Sequence, residues 1–299
     1  MRTPSVNDDM LKKYKLAGAL AREAREFGVS HAKAGVSALE LANAMESLIR
    51  SKGGECAFPV NIGINEVAAH YTPSKADDVL LKIGDVVKLD VGSHVDGYPA
   101  DTSATVEIST RNNQSLITSA EDALKMCVEM IAPGTTLSAI GEAVDRAICS
   151  AGFKPIENLT GHSMERFNLH AGLSIPNVKT KDRAFVEEGM ILAIEPFSTT
   201  GSGRVKGACR GNIYRIMRDR RAPAEISTMF SRMQSRFGSF PFASRWCDDL
   251  HPNAPTLLPK MLRMGMVMNY PVLSEVRGGI VAQAEHSVLV TKNSCIVLT

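Results

Sequence analysis

The stretch Val86–Ile108, VVKLDVGSHVDGYPADTSATVEI, decides how the rest of the chain is read. Two β-rich runs flank Asp96-Gly97, a dipeptide that signals a tight hairpin between such runs. With Asp96 and Gly97 at the centre of the turn, Asp101 lies opposite Gly92. Asp90 then stands one diagonal step away on the same face. A turn centred one residue earlier sets the two aspartates directly opposite. Either register brings two carboxylates within reach on one side of a strand pair that Leu89 and Val91 mark as at least half buried. Asp is a poor strand former, and adjacent like charges repel, so the pair calls for a positive partner. A metal ion, or two, between them is one reading; a solvated polar face is the other.

Outward from the hairpin, helical spacing runs over Asn7–Lys33. Ser37-Ala-Leu-Glu40 is a capping box opening a second helix that ends near Gly53-Gly54. Gln114–Ile131 and Thr136–Ala151 are again helical, closed by Pro133-Gly134 and Gly152. Phe185–Ser198 reads as a strand, residues 206–265 as Arg- and Met-rich helices with a break at Phe240-Pro241, and Gly279–Leu298 as β structure. The two halves resemble each other. At an offset of 99, Gly35, Glu46 and Gly53 meet Gly134, Asp145 and Gly152; at 105, Gly84 and Asp90 meet Gly189 and Glu195. His70 falls near His170. A two-fold between such halves brings Asp90 and Glu195 to one centre. The carboxylates Asp90, Asp101, Glu195 and Glu285 with the imidazole of His162 make a donor set for a pair of Mn, Fe, Co or Zn ions rather than a structural zinc. Such a pair activates water.

The chain's 299 residues suit one large domain or two small ones, and its 44% hydrophobic and 22% charged residues indicate a globular protein. A net charge of +2 gives no general case for nucleic acid or an anionic membrane. The six cysteines form no CxxC pair, which argues against a disulfide framework and fits the cytoplasm. No apolar run is long enough to span a membrane.

The segments Asp90-x10-Asp101, Gly161-His162, Ala193-Ile-Glu195-Pro-Phe and Gln283-Ala-Glu285-His286 resemble the metal-binding motifs of methionine aminopeptidases. The similarity runs from about residue 8 to the C-terminus. FPVNIGINEVAAHYTP (58–73), GHSMERFNLHAGLSIPN (161–177) and the insert before NYPVLSE (269–275) are most similar to the type 2 enzymes in their short, archaeal-like form. The resemblance implies an α/β (α+β) pita-bread fold, as in creatinase and the aminopeptidases, with a pseudo-two-fold, a curved antiparallel sheet and helices outside. It divides the chain into a catalytic domain (1–205 and 266–299) and an inserted helical subdomain (206–265). It further implies two divalent metal ions (Co, Mn, Fe or Zn) on Asp90, Asp101, His162, Glu195 and Glu285, with Asp101 and Glu285 bridging. Glu195 is then also the general base. His70 and His170 bind the scissile peptide, and Phe58, Leu169 and Tyr270 line the pocket for the methionine side chain. One departure is Ile213, where some type 2 enzymes carry a histidine.

The implied activity is removal of N-terminal methionine from peptides and nascent proteins by a monomer free of membrane. An Xaa-Pro peptidase of the same fold predicts a large domain before Asp90. A catalytically silent relative that binds protein or RNA predicts a lost ligand, yet all five are present. The run Tyr214–Arg221, YRIMRDRR, is a candidate contact to ribosomal RNA, or a solvated helix face.

Overall fold

The computed structural model describes residues 6–299. The Asp96-Gly97 turn forms as the dipeptide requires, with both residues at positive φ (52° and 84°), and Val95 pairs with Tyr98. The strands Val86–Val95 and Tyr98–Glu107 therefore run in the first of the two expected registers: Gly92 faces Asp101, and Asp90 faces Ser103.

Helices α1 (Asp8–His31), α2 (Ala38–Ser51), α3 (Gln114–Met130) and α4 (Leu137–Ser150) fall where their periodicity and caps place them. Ser37 and Thr136 cap α2 and α4 by accepting from the Glu40 and Ala139 N–H groups, a device worth about 1 kcal/mol each. The two halves repeat in detail. The aligned glycines share left-handed φ values: 86° and 91° at Gly35 and Gly134, 84° and 86° at Gly53 and Gly152, 88° and 87° at Gly84 and Gly189. Only glycine adopts these angles without cost, so the alignment rests on backbone need. The bridge Ser37–Leu80 in the first half has its counterpart in Thr136–Phe185.

Every strand pairing is antiparallel. The hairpin joins Glu55–Cys56 and Asn61–Ile64 in the first half; Thr160–Met164, Ser174–Pro176, Ile191–Ile194, His286–Val290 and Cys295–Val297 form the corresponding sheet of the second. One apolar cluster packs α2 against Ile62, Val87 and Leu89; another packs α3 and α4 against Leu192, Ile194 and Val288. Helices thus cover the outer face and leave the inner face free. The run Phe185–Ser198 is two short strands, Ile191–Ile194 and Phe197–Thr199, parted at Glu195-Pro196, where proline has no N–H to give a ladder.

The reading of 206–265 as helical needs correction. Its first part is the long strand Val205–Ile216, which pairs with Val267–Glu275. Consequently Tyr214–Arg221 is strand and loop rather than a helix face. The remainder holds α5 (Ala224–Phe237) and α6 (Ala254–Arg263), whose apolar faces meet around Met229, Phe230, Met233, Leu257 and Met261. No described helix is long and apolar enough to cross a membrane.

Candidate metal centre

Five strands deliver the acidic and imidazole side chains to the inner face. Asp90 and Asp101 come from the hairpin. His162 lies on Thr160–Met164 and pairs with Ala193 of the next strand; Glu195 sits just past the end of that strand. Glu285 follows Val281–Gln283 and forms a two-way backbone bridge to Ser103, at 3.4 and 3.2 Å. Asp101 is locked to the opposite half, for its N–H donates to Ser287 Oγ at 2.8 Å and its carbonyl accepts from that hydroxyl at 2.8 Å. The Thr102 hydroxyl donates to the Glu285 carbonyl at 2.9 Å. Asp101 and Glu285, 184 positions apart in sequence, are thereby fixed to a common seam.

His162 Nε2 lies 3.5 Å from Asp101 Oδ2 and 3.6 Å from Glu195 Oε1. Donor atoms of Asp101, His162 and Glu285 all fall within 4.8 Å of one another. Asp90 and Glu285 each come within hydrogen-bond reach of the Asp101 carboxyl. Burial holds all four carboxyls above their ordinary range, reinforced for Asp90, Glu195 and Glu285 by the neighbouring carboxylates; Asp101 is pushed up to about 7. Burial likewise lowers His162 to about 4, so its ring is neutral and free to ligate. Among the described residues, His162 is the one basic side chain within 4 Å of these carboxylates. Asp90 Oδ1 and Asp101 Oδ1 are buried without hydrogen-bond partners. Buried acids left unpaired in this way need cations, and a mixed carboxylate–imidazole set suits borderline divalent ions.

These five residues, with His70, His170, Phe58, Leu169, Tyr270 and Ile213, line one cavity of about 250 Å³. His170 stacks at a tilt on His162, with ring centres 4.3 Å apart, and the His70 ring meets Tyr270 edge-on at 5.2 Å. Phe58 needs the bare backbone opposite Asp101, since a Cβ on Gly92 would lie 2.2 Å from its ring. Sequence reasoning did not single out Asn61. It pairs with Asp90 across the sheet and lines the same cavity. Only the strand register, invisible without its partner, reveals it.

A curled antiparallel sheet about a pseudo-two-fold, with clustered acids at its centre, defines the pita-bread metallohydrolases. The chain belongs to metallopeptidase family M24, whose model matches residues 12–292. It is 43% identical over 289 residues to a methionine aminopeptidase of Pyrococcus horikoshii, covering 95% of this chain and 97% of that one. A methionine aminopeptidase of Methanocaldococcus jannaschii is 42% identical over 286 residues, covering 95% and 96%. Among solved structures, that of a methionine aminopeptidase from Thermotoga maritima superposes with a TM-score of 0.72 over 100% of this chain and 99% of its own; at 22% identity the likeness speaks for the fold.

Proposed function

We propose that this chain is a divalent-metal aminopeptidase of the type 2 kind, removing N-terminal methionine from peptides and nascent proteins in the cytoplasm. The observation that carries this reading is the single cavity in which the acids and His162 stand beside an apolar wall of Phe58, Leu169 and Tyr270. On this reading two ions would be held by Asp90, Asp101, His162, Glu195 and Glu285. Bound there, divalent ions supply an electrophile for the scissile carbonyl and lower the pKa of water.

The chain's own groups do the rest. Glu195, which lines the cavity, takes the proton from the attacking water and returns it to the leaving nitrogen. His70 and His170 hydrogen-bond the peptide and the oxygen on which charge develops. The aromatic rings of Phe58 and Tyr270 pack on an unbranched thioether. Ile213, buried at this wall, extends its apolar surface. All six cysteines are unpaired, in keeping with a reducing compartment. The basic strand-and-loop segment around Arg215–Arg221 is the surface offered to a ribosome.

The decisive assay is hydrolysis of Met-Gly and Met-Ala peptides after chelation and re-addition of Mn, Fe, Co or Zn singly. Release of methionine that depends on the restored metal is expected, with Leu-Pro peptides left intact; the reverse substrate pattern points to an Xaa-Pro peptidase. In His162→Ala, metal retained through gel filtration should fall well below that of the parent chain, by about one ion per chain. Unchanged metal content by elemental analysis removes His162 from the ligand set.

A further inference from the structure

We propose that Glu46 and Arg245, far from the metal centre, are positioning residues for the methionine pocket and for His70, an inference that rests on the function proposed above. Segment 58–73 carries Phe58, Asn61 and His70, and it is gripped at both ends by one buried ion pair. At one end, Glu46 Oε1 accepts the Val60 N–H at 3.2 Å. At the other, Arg245 Nη1 donates to Thr72 Oγ1 at 2.8 Å and to the Pro73 carbonyl at 3.0 Å. Between them the Arg245 Nη2 contacts Glu46 Oε1 directly. The Thr72 hydroxyl in turn donates to the Val60 carbonyl at 2.8 Å, closing a ring of hydrogen bonds across the segment's two ends.

The supporting contacts draw in three further residues. The Trp246 indole N–H donates to Glu46 Oε2 at 2.7 Å, Arg245 Nε donates to Asn43 Oδ1 at 3.2 Å, and Asn212 Nδ2 donates to the Thr72 carbonyl at 3.1 Å. Glu46 sits on α2, while Arg245 sits on the short 3-10 turn Ser244–Cys247 between α5 and α6. Both side chains are almost fully buried, 1% and 3% exposed. Replacing such a pair with apolar groups is often neutral or favourable for stability, so stability alone does not account for it; fixing one geometry does.

The segment has a geometry that must be held. His70 has φ of +65°, a left-handed conformation that a non-glycine residue keeps only when its surroundings impose it. Its ring is tied to the Pro271 carbonyl at 3.3 Å, and two residues later Thr72 is locked by Arg245, Asn212 and Val60. The pseudo-two-fold sharpens the point. Asp145, which aligns with Glu46, has no such partner: it accepts from the Cys149 thiol on its own helix. The clamp exists only in the half that carries the Phe58 wall, and the insertion between the strands Val205–Ile216 and Val267–Glu275 supplies its arginine.

The test uses metal-loaded full-length protein and the ratio of kcat/KM for a Met-Gly-Gly peptide to that for Leu-Gly-Gly. A fall in folded fraction scales both numerators alike and leaves the ratio unchanged; a displaced Phe58 and His70 do not. In Glu46→Gln and Arg245→Met the ratio is expected to fall about tenfold. Thr72→Val, which removes one hydroxyl without changing volume, is expected to lower it in the same direction, and Thr72→Ser to restore it. A parental ratio in all of these folded variants, even with lowered Tm, makes the pair a structural strut and overturns the proposal. An unmodified chain with no preference for methionine over leucine removes the proposed function, and this inference with it.

Discussion

Glu195→Gln is expected to lower kcat by at least about 10³-fold while leaving the fold intact. Loss of a general base alone typically costs 10²–10⁴-fold, and this side chain is assigned a ligand oxygen as well. The substitution keeps the shape and removes the charge. Its neighbours make that change benign for folding: the Glu195 backbone is held by Asn177, whose Nδ2 donates to the Glu195 carbonyl at 3.2 Å, and the strand before it pairs on both sides. Burial with Asp101 and Asp90 close by already disfavours the ionised Glu195, so a neutral amide relieves repulsion in the metal-free chain. Circular dichroism and Tm should match the parent. Turnover within tenfold of the parent would remove Glu195 from the chemistry.

How much of this site was legible before the structure follows from the range of the forces involved. The hairpin register was readable because Asp96-Gly97 fixes its own turn, and a fixed turn sets every pair beyond it. The internal repeat was readable because Gly35, Gly84, Gly134 and Gly189 answer to local backbone demands that recur in each half. Asp90 and Asp101 were found from that hairpin; the other residues gathered in the cavity were found through motif resemblance and the repeat, and not through any local signal. Glu195 or Glu285 taken singly is an ordinary surface acid.

What stayed hidden depends on partners distant in sequence. The strand Val205–Ile216 is broken in its alternation by register shifts between Gly207 and Cys209 and between Arg210 and Ile213, and its pairing partner begins only after α6. Arg and Met favour helices, and composition outweighed a pattern that was interrupted twice. Asn61 and the Glu46–Arg245 pair are likewise contacts of tertiary structure. Glu46 was noticed only as the counterpart of Asp145, and its burial is the feature in which the halves differ.

Removing metal should leave the four crowded acids as a burden on the fold that grows with pH. Folding raises the Asp101 carboxyl from an ordinary value near 4 to about 7, chiefly through burial, and Asp90, Glu195 and Glu285 move in the same direction. Between those two values the folded metal-free chain holds a proton at Asp101 that the unfolded chain has lost, so this group's contribution to stability falls as pH rises. The contribution is present in full below the unfolded pKa and is lost as pH rises through the folded one. His162 works the other way, since burial lowers it to about 4 and its contribution grows as pH rises to 6.5. Above pH 6.5 the lowered histidines have finished titrating, but the buried Lys88, lowered to about 7, then opposes the carboxyls, so the acids are read by comparing the parent with Asp101→Asn, which shares that lysine. Urea unfolding of chelated protein should therefore show the parent losing stability relative to Asp101→Asn as pH rises from 6.5 to 8. Added Mn or Co should stabilise the parent more at pH 8 than at pH 6.5, because metal displaces the protons these groups share. In Asp101→Asn one of the crowded acids is gone while the rest of the chain titrates as before, so the metal-free variant should be the more stable of the two at pH 8. A metal-free parent that holds or gains stability relative to Asp101→Asn between pH 6.5 and 8 carries no strained acid cluster, and the case for cations at this centre fails with it.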